Sequence, residues 1–395
     1  MSNPVADKRS YRLTSIDFLR GLVIVIMAID HVRDFFLTGG IQDPMAQPDV
    51  PLALYLTRWV THFCAPVFVF LAGTSVGLMS SRKSKGELGS FLLKRGLWLI
   101  FVEVFVINSI VSFLSPGIFG LPGLVVVLQV IWAIGASMVL LAGAQFLGVR
   151  KCLVLGLVLL VGHQLLDNVW PSGGAIDAFW VGLYRQSAFV AGPLSFIFVY
   201  PLIPWVGIML LGYGTSTIFG KPGAERKAYL IKAGLIMIGC FVVLRFVDAY
   251  GDPNPWESQA LGWRATVLDF MNLTKYPPSL LFTLATLGPM AILGGYAENF
   301  KGWLHDTLVM FGRVPFFFYV LHFALIHVLS IFYGMYQGFD ASQFLTIFFH
   351  YPTGYGTNLT GVYVVWLLVL VMLYPLCKLM AKVKRERKDW WLSYL

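Results

Sequence analysis

Charge is what this chain holds least of. Only 12% of its 395 residues are charged, about half the fraction usual in a soluble domain, which excludes an ordinary water-soluble globular fold. Cysteine is scarce as well. Cys64, Cys152, Cys240 and Cys377 are scattered without a close pair or metal-type spacing, so a disulfide framework and a cysteine metal site are both excluded. No two histidines stand at i, i+4 with a third ligand nearby, and no metal is expected. Long polar linkers, low-complexity segments and recognisable internal repeats are missing too. One integral domain over residues 1–395 is left.

Hydrophobic residues are abundant, at 57% of the chain with a mean hydropathy of +0.74. Ten apolar runs recur, at 16–37, 54–79, 89–113, 122–147, 152–170, 195–218, 229–250, 278–297, 307–334 and 360–382. Runs of about 20 apolar residues match the bilayer thickness. The pattern predicts an all-α polytopic membrane bundle of about ten transmembrane helices. The first run is too long and too rich in ionisable groups for a cleaved signal peptide, so it reads as a retained anchor. Of 29 basic residues, 21 fall on one side of the stack. They include Lys8, Arg9, Arg12, Arg82, Lys83, Arg150, Lys151, Lys301 and Lys388. The positive-inside rule then places both termini, a tail over 1–14 and a basic tail over 384–395, in the cytoplasm. This asymmetry accounts for the formal charge of +9, so no nucleic acid partner is implied; the lipid bilayer is. The opposite connections are longer, and that at 171–194 holds Gly173, Gly174 and Arg185.

Arg20 and His31 share the first run. Eleven residues of helix advance about 16 Å and turn three times plus roughly 20°, so both groups lie on one face near opposite ends of the crossing. Ionisable groups at membrane depth usually mark a site or a pathway. His31, His62, His163, His322 and His327 fall in one layer away from the basic side, with Asp30, Asp34, Asp167 and Asp248. That layer suits acid–base chemistry. The basic side, with Arg20, Asp17 and Arg313 above it, suits a polyanionic ligand. Several features also have plain structural readings. His31 can pair with Asp34, Arg20 with Asp17, Arg58 with His62, and His163 with Asp167. Gly73 and Gly77 form a small-residue packing face. Phe316-Phe-Phe-Tyr319 reads as packing, and Glu103 needs a partner from another helix.

Ile16-Asp17-Phe-Leu-Arg20-Gly21 followed by His31 resembles the first helix of transmembrane acyltransferases, the acyltransferase-3 family among them. Further blocks resemble heparan-α-glucosaminide N-acetyltransferase and its bacterial homologues. They are Pro66-Val-Phe-Val-Phe-Leu-Ala-Gly73, Val127-Leu-Gln129, Tyr200-Pro-Leu-Ile-Pro-Trp205, Leu211-Gly-Tyr213, Tyr250-Gly-Asp-Pro-Asn-Pro-Trp256, Thr274-Lys-Tyr-Pro-Pro-Ser279, and Phe311-Gly-Arg313 leading to Tyr319-Val-Leu-His322. The similarity runs from about residue 15 to 335.

The resemblance implies transfer of an acyl group, acetyl in the first instance, from cytosolic acyl-CoA to an extracytoplasmic glycan or other polar acceptor. It also implies a place in the bacterial cytoplasmic membrane. Catalytic candidates are His31 as general base, with Arg20, Asp30 and His322. Arg20, Arg82, Lys94, Arg95, Gln129 and Arg313 are candidates for acyl-CoA binding. His62, Asn108, Lys275 and Ser279 are candidates for the acceptor or the developing oxyanion. Direct transfer and an acyl-histidine intermediate both stay open, as does a homo-oligomer. One departure stands out. The lysosomal relative has a catalytic histidine in the stretch after its first helix, whereas residues 38–57 here contain none. His31 stands where that enzyme has asparagine, and His62 stands at an aspartate position. A secondary transporter or flippase for an envelope molecule is the alternative, since buried charges along a through-path suit that class as well.

Overall fold

The fold is seen in a computed structural model that describes residues 13–39, 43–46, 49–113, 115–169, 175–387 and 389–394. Lys8, Arg9, Arg12, Gly173, Gly174 and Lys388 lie outside these residues. In chain order the helices are α1 (Thr14–Phe36), α2 (Leu52–Thr61), α3 (Cys64–Ser80), α4 (Lys85–Phe101), α5 (Asn108–Ser112), α6 (Val130–Ala144), α7 (Val149–Gly162), α8 (Ala175–Leu183) and α9 (Leu202–Phe219). They continue with α10 (Gly223–Val247), α11 (Trp263–Phe270), α12 (Leu280–Tyr296), α13 (Trp303–Arg313), α14 (Pro315–Tyr336) and α15 (Leu359–Glu386).

Every apolar run overlaps a helix, and the architecture is an all-α polytopic bundle. Among the described residues eight helical segments are long and apolar enough to cross a membrane. The other two runs fall on α1, which carries Asp17, Arg20, Asp30, Arg33 and Asp34, and on the continuous stretch from α4 to α5. That stretch is broken by a π-helical turn at Val102–Ile107.

Run 54–79 spans α2 and α3 and run 89–113 spans α4 and α5; three more runs are not single helices. Residues 122–147 begin with β1 (Leu124–Leu128), and 195–218 begin within β3 (Leu194–Phe198). With β2 (Ser187–Ala191) they form a sheet ordered β1-β3-β2, with β1 parallel and β2 antiparallel to β3. Leu124-Val-Val-Val-Leu128 is rich in β-branched residues, which favour strand, and Gly123 at φ +69° opens it. The sheet pairs the facing backbone groups of these three strands. Residues 307–334 split at Val314 (φ −130°, ψ 44°), where Pro315 starts α14; proline disfavours helix in the residue before it and suits a first helical position.

α1 is the centre of the bundle, packed against α3, α13, α14 and α15. The α1–α13 crossing is close enough to require glycine. A Cβ on Gly21 would lie 1.7 Å from the Leu308 carbonyl oxygen, and one on Gly312 would lie 1.7 Å from that of Asp17. Gly73 of α3 meets the Met209 carbonyl of α9 in the same way, at 2.0 Å. Leu37 at the end of α1 bridges to Thr357 just before α15, so α15 returns alongside α1 and ends near its start. That end of the bundle is called the terminal side below, and the other the distal side.

Candidate active site

Two histidines from different helices meet at the distal end of α1. His31 Nδ1 lies 2.6 Å from His322 Nε2 of α14, and the rings stack at 4.9 Å. His322 Nδ1 lies 3.2 Å from the Phe318 carbonyl oxygen, to which it can only donate. Its Nε2 therefore holds a lone pair and accepts from His31 Nδ1–H. This leaves the Nε2 lone pair of His31 as the basic atom of the pair. Phe323 also stacks on His31 at 4.2 Å, and lies 4.6 Å from the His322 ring, which restricts the imidazole. His322 is fully buried, whereas His31 lines a cavity of about 360 Å³.

That distal chamber is lined by charge from α1 and α2. Arg33 reaches Asp30 at 3.0 Å and Asp34 at 2.6 Å, and Arg58 reaches Asp30 at 2.7 Å and Asp43 at 3.5 Å. Asp30 thus serves two arginines, and among the described residues its hydrogen bonds and ion pairs go to them rather than to the imidazole beside it in sequence. Asp34 likewise goes to Arg33. The opposite wall comes from β1, β3 and the loop before α12, with Gln129, Tyr200, Lys275 and Tyr276 facing in. Lys275 is 9% exposed, and its ammonium sits 5.2 Å from the centre of the Tyr276 ring.

The motifs around that loop work as scaffolding. Asp252 accepts from Ser279 Oγ at 2.6 Å, Thr274 Oγ1 at 2.7 Å and the Thr274 amide at 2.9 Å. Buried Arg245 donates to the carbonyls of Asn254, Phe270, Asn272 and Asp269 at 2.7–3.2 Å. These bonds hold the segment that presents Lys275. Ser279 itself caps α12 by accepting from the Phe282 amide at 2.9 Å, so its oxygen is engaged away from the chamber. Asn108 is also engaged. Its amide nitrogen donates to the Glu103 and Val127 carbonyls at 2.7 and 3.1 Å, and its oxygen accepts from the Val127 amide at 2.7 Å. It pins β1 to the π-helical turn. Glu103 finds its partner across helices, accepting from the Gln129 amide at 3.0 Å at the start of α6; a carboxylate there also meets the positive end of the helix.

The histidine layer divides into separate environments. His62 is buried against the Phe282 ring at 5.3 Å and is absent from the chamber wall. His163 Nδ1 faces the Leu159 and Leu160 carbonyls at 3.1 Å, while Asp167 accepts from Tyr184. His327 lies between the Ile110 and Phe344 carbonyls, at 2.6 and 2.8 Å. The expected Arg58–His62 and His163–Asp167 pairs do not form; each partner finds a closer group on another element or its own backbone.

On the terminal side a second chamber of about 310 Å³ is lined by Arg20, Arg95, Arg313 and Lys384 among apolar side chains. It shares Met27, Phe68, Val130 and Tyr319 with the distal chamber. A third, wider cavity of about 930 Å³ shares Arg20, Ser75 and Met79 with the second and adds Arg82, Lys221 and Arg226. Each neighbouring pair of these cavities thus shares wall residues. Arg20 donates to Ser75 Oγ and, at 3.2 Å, to the Leu71 carbonyl, with Asp17 at 3.7 Å. Arg95 lies over the Phe316 ring at 5.3 Å, and its Nη1 has no hydrogen-bond partner among the described residues. Lys94, on the exposed side of α4, lines none of the three. Sequence reasoning missed Lys384, inside α15 rather than in a tail, and Tyr319, read as packing. Their signals were weak: a helix end among many lysines, and a tyrosine one turn before His322. Among the described residues no group of three or more His, Cys, Asp or Glu is placed to hold a metal ion.

A paired imidazole lining one of two chambers that share walls inside a bundle of apolar, membrane-length helices is a candidate site within a membrane protein. Residues 12–244 match the family model described as heparan-alpha-glucosaminide N-acetyltransferase, catalytic. The match covers more than half of the chain, which belongs to this family, and it is a membrane acyltransferase of the transmembrane acetyltransferase type. No curated protein matches it.

Proposed function

We propose that the enzyme moves an acyl group, acetyl in the first instance, from acyl-CoA entering on the terminal side to a polar acceptor, such as a glycan, bound in the distal chamber. The terminal side is the cytoplasmic one, and the membrane is the bacterial cytoplasmic membrane. One observation carries this reading. His31, whose Nε2 is left basic by the bond from Nδ1 to His322, lines a chamber that shares walls with a cation-lined one. The nucleotide and phosphates of the donor suit Arg82 at the wide mouth; Lys221 beside it pairs with Glu225, and buried Arg226 is held by Glu298 and two carbonyls. The pantetheine arm passes Arg20 and Arg95, and the thioester arrives at the neck. An acceptor hydroxyl or amine attacks the carbonyl carbon while His31 Nε2 takes its proton. The C–S bond then breaks, and the same proton passes to the CoA thiolate.

The test is made on purified full-length protein with labelled acetyl-CoA and an acceptor mixture. Acceptor-dependent CoA release and label transfer are expected, with CoA raising thermal stability by mass action. Label that stays on acetyl-CoA, while a solute crosses liposomes containing the protein, would instead make it a transporter.

A further inference from the structure

We infer that the Tyr319 hydroxyl is the hydrogen-bond donor for the carbonyl oxygen of the transferred acyl group. This deepens the acyl-transfer reading and rests on it. Four side chains line both the distal and the terminal chamber: Met27, Phe68, Val130 and Tyr319. Of these, Tyr319 alone carries a hydrogen-bond donor. It is 4% exposed, and its hydroxyl has no hydrogen-bond partner among the described residues. A buried hydroxyl left without a partner is costly, and an acceptor atom in the neck removes that cost.

The position follows from α14. Tyr319 precedes His322 by one turn, about 4.5 Å along the axis toward the terminal side. Its ring lies 5.5 Å from that of His322 and edge-on to Phe323 at 5.3 Å. It therefore stands on the donor's side of the base, where a thioester reaching His31 must place its carbonyl. The rival donors fall short of this place. Asn108 and Ser279 are spent on backbone and caps, and Gln129 and Lys275 line the distal chamber but not the terminal one.

In the step itself the acceptor oxygen or nitrogen bonds to the carbonyl carbon, and its proton goes to His31 Nε2. The carbonyl π electrons move onto oxygen, where the Tyr319 O–H meets the developing charge. Collapse restores the carbonyl, expels the thiolate of CoA, and returns the proton from His31 to sulfur. Tyr319 keeps its own proton throughout.

The variant is Tyr319→Phe, which retains the ring and its packing. The expected result is a kcat lower by about 100-fold, with CoA affinity and the KM for acetyl-CoA changed by less than about twofold. A second reading is spectroscopic. Infrared difference spectra with carbonyl-labelled acetyl-CoA should show the bound carbonyl band of the unmodified protein shifted to lower frequency, and Tyr319→Phe should remove the shift. Wild-type kcat in the variant, or an unshifted band in the unmodified protein, overturns the assignment. If the unmodified protein neither binds CoA nor transfers label, acyl transfer falls and this role with it. If it does both and Tyr319→Phe is unaltered, only the Tyr319 role falls.

Discussion

His31 owes its proposed reactivity to one neighbour. Its Nδ1 proton is committed to His322, which is fixed in turn by the Phe318 carbonyl. His31→Ala should abolish transfer and leave CoA binding intact, measured by label transfer and by thermal shift with CoA; turnover in that variant would remove His31 from the chemistry. His322→Ala leaves the base in place but frees its tautomer. By analogy with other triads, in which losing the orienting group fixes the wrong tautomer, kcat should fall on the order of 100-fold or more with little change in CoA affinity. Ser279→Ala separates a cap from an oxyanion donor. A lost helix cap costs about 1 kcal/mol of stability, and kcat should hold in the fraction that stays folded. A lost rate at unchanged stability would return Ser279 to the reaction.

At the level of elements, the site depends on how tightly α1 meets α13. Gly21 lies next to Arg20, and its Cβ would overlap the Leu308 carbonyl. Gly21→Ala must push the two helices apart, an overpacking cost of about 1–3 kcal/mol, and the melting temperature should fall. Arg20 and Arg313 flank this crossing, so CoA affinity should fall as well; unchanged melting and affinity would mean that the crossing relaxes freely. The sequence showed α1 and its Arg20–His31 face because helical periodicity is local. It did not show the three-stranded sheet, since a short apolar β-branched run next to a helix reads as more of that helix. Nor did it separate Ser279 and Asn108 from the chemistry. Their partners, Asp252 and the Val127 backbone, sit 27 and 19 residues away.

For the whole molecule the central matter is passage from one side to the other. Val130→Trp places bulk in the shared neck and should stop transfer while leaving CoA binding at the mouth unaltered. Full turnover with a blocked neck would mean that the two chambers do not form the route. Sidedness has its own test. With sealed vesicles and acetyl-CoA added outside, inverted vesicles should transfer acetyl and right-side-out vesicles should not; the reverse would invert the orientation drawn from the basic residues. High salt should weaken CoA stabilisation, because the mouth contributes partly exposed cations.

The sequence by itself determined the solvent in which this protein folds, the position of its helices and the facing of Arg20 and His31. Apolar runs and helical phase are properties of neighbouring residues. Its local blocks also carried the acyltransferase resemblance that the family match bears out. Only the tertiary structure decided that His31 finds His322, 291 positions later, that Asp30 belongs to two arginines, and that Tyr319 stands at the neck between the chambers. Those relations are set by which helices pack together, and packing between distant segments leaves no mark on local spacing.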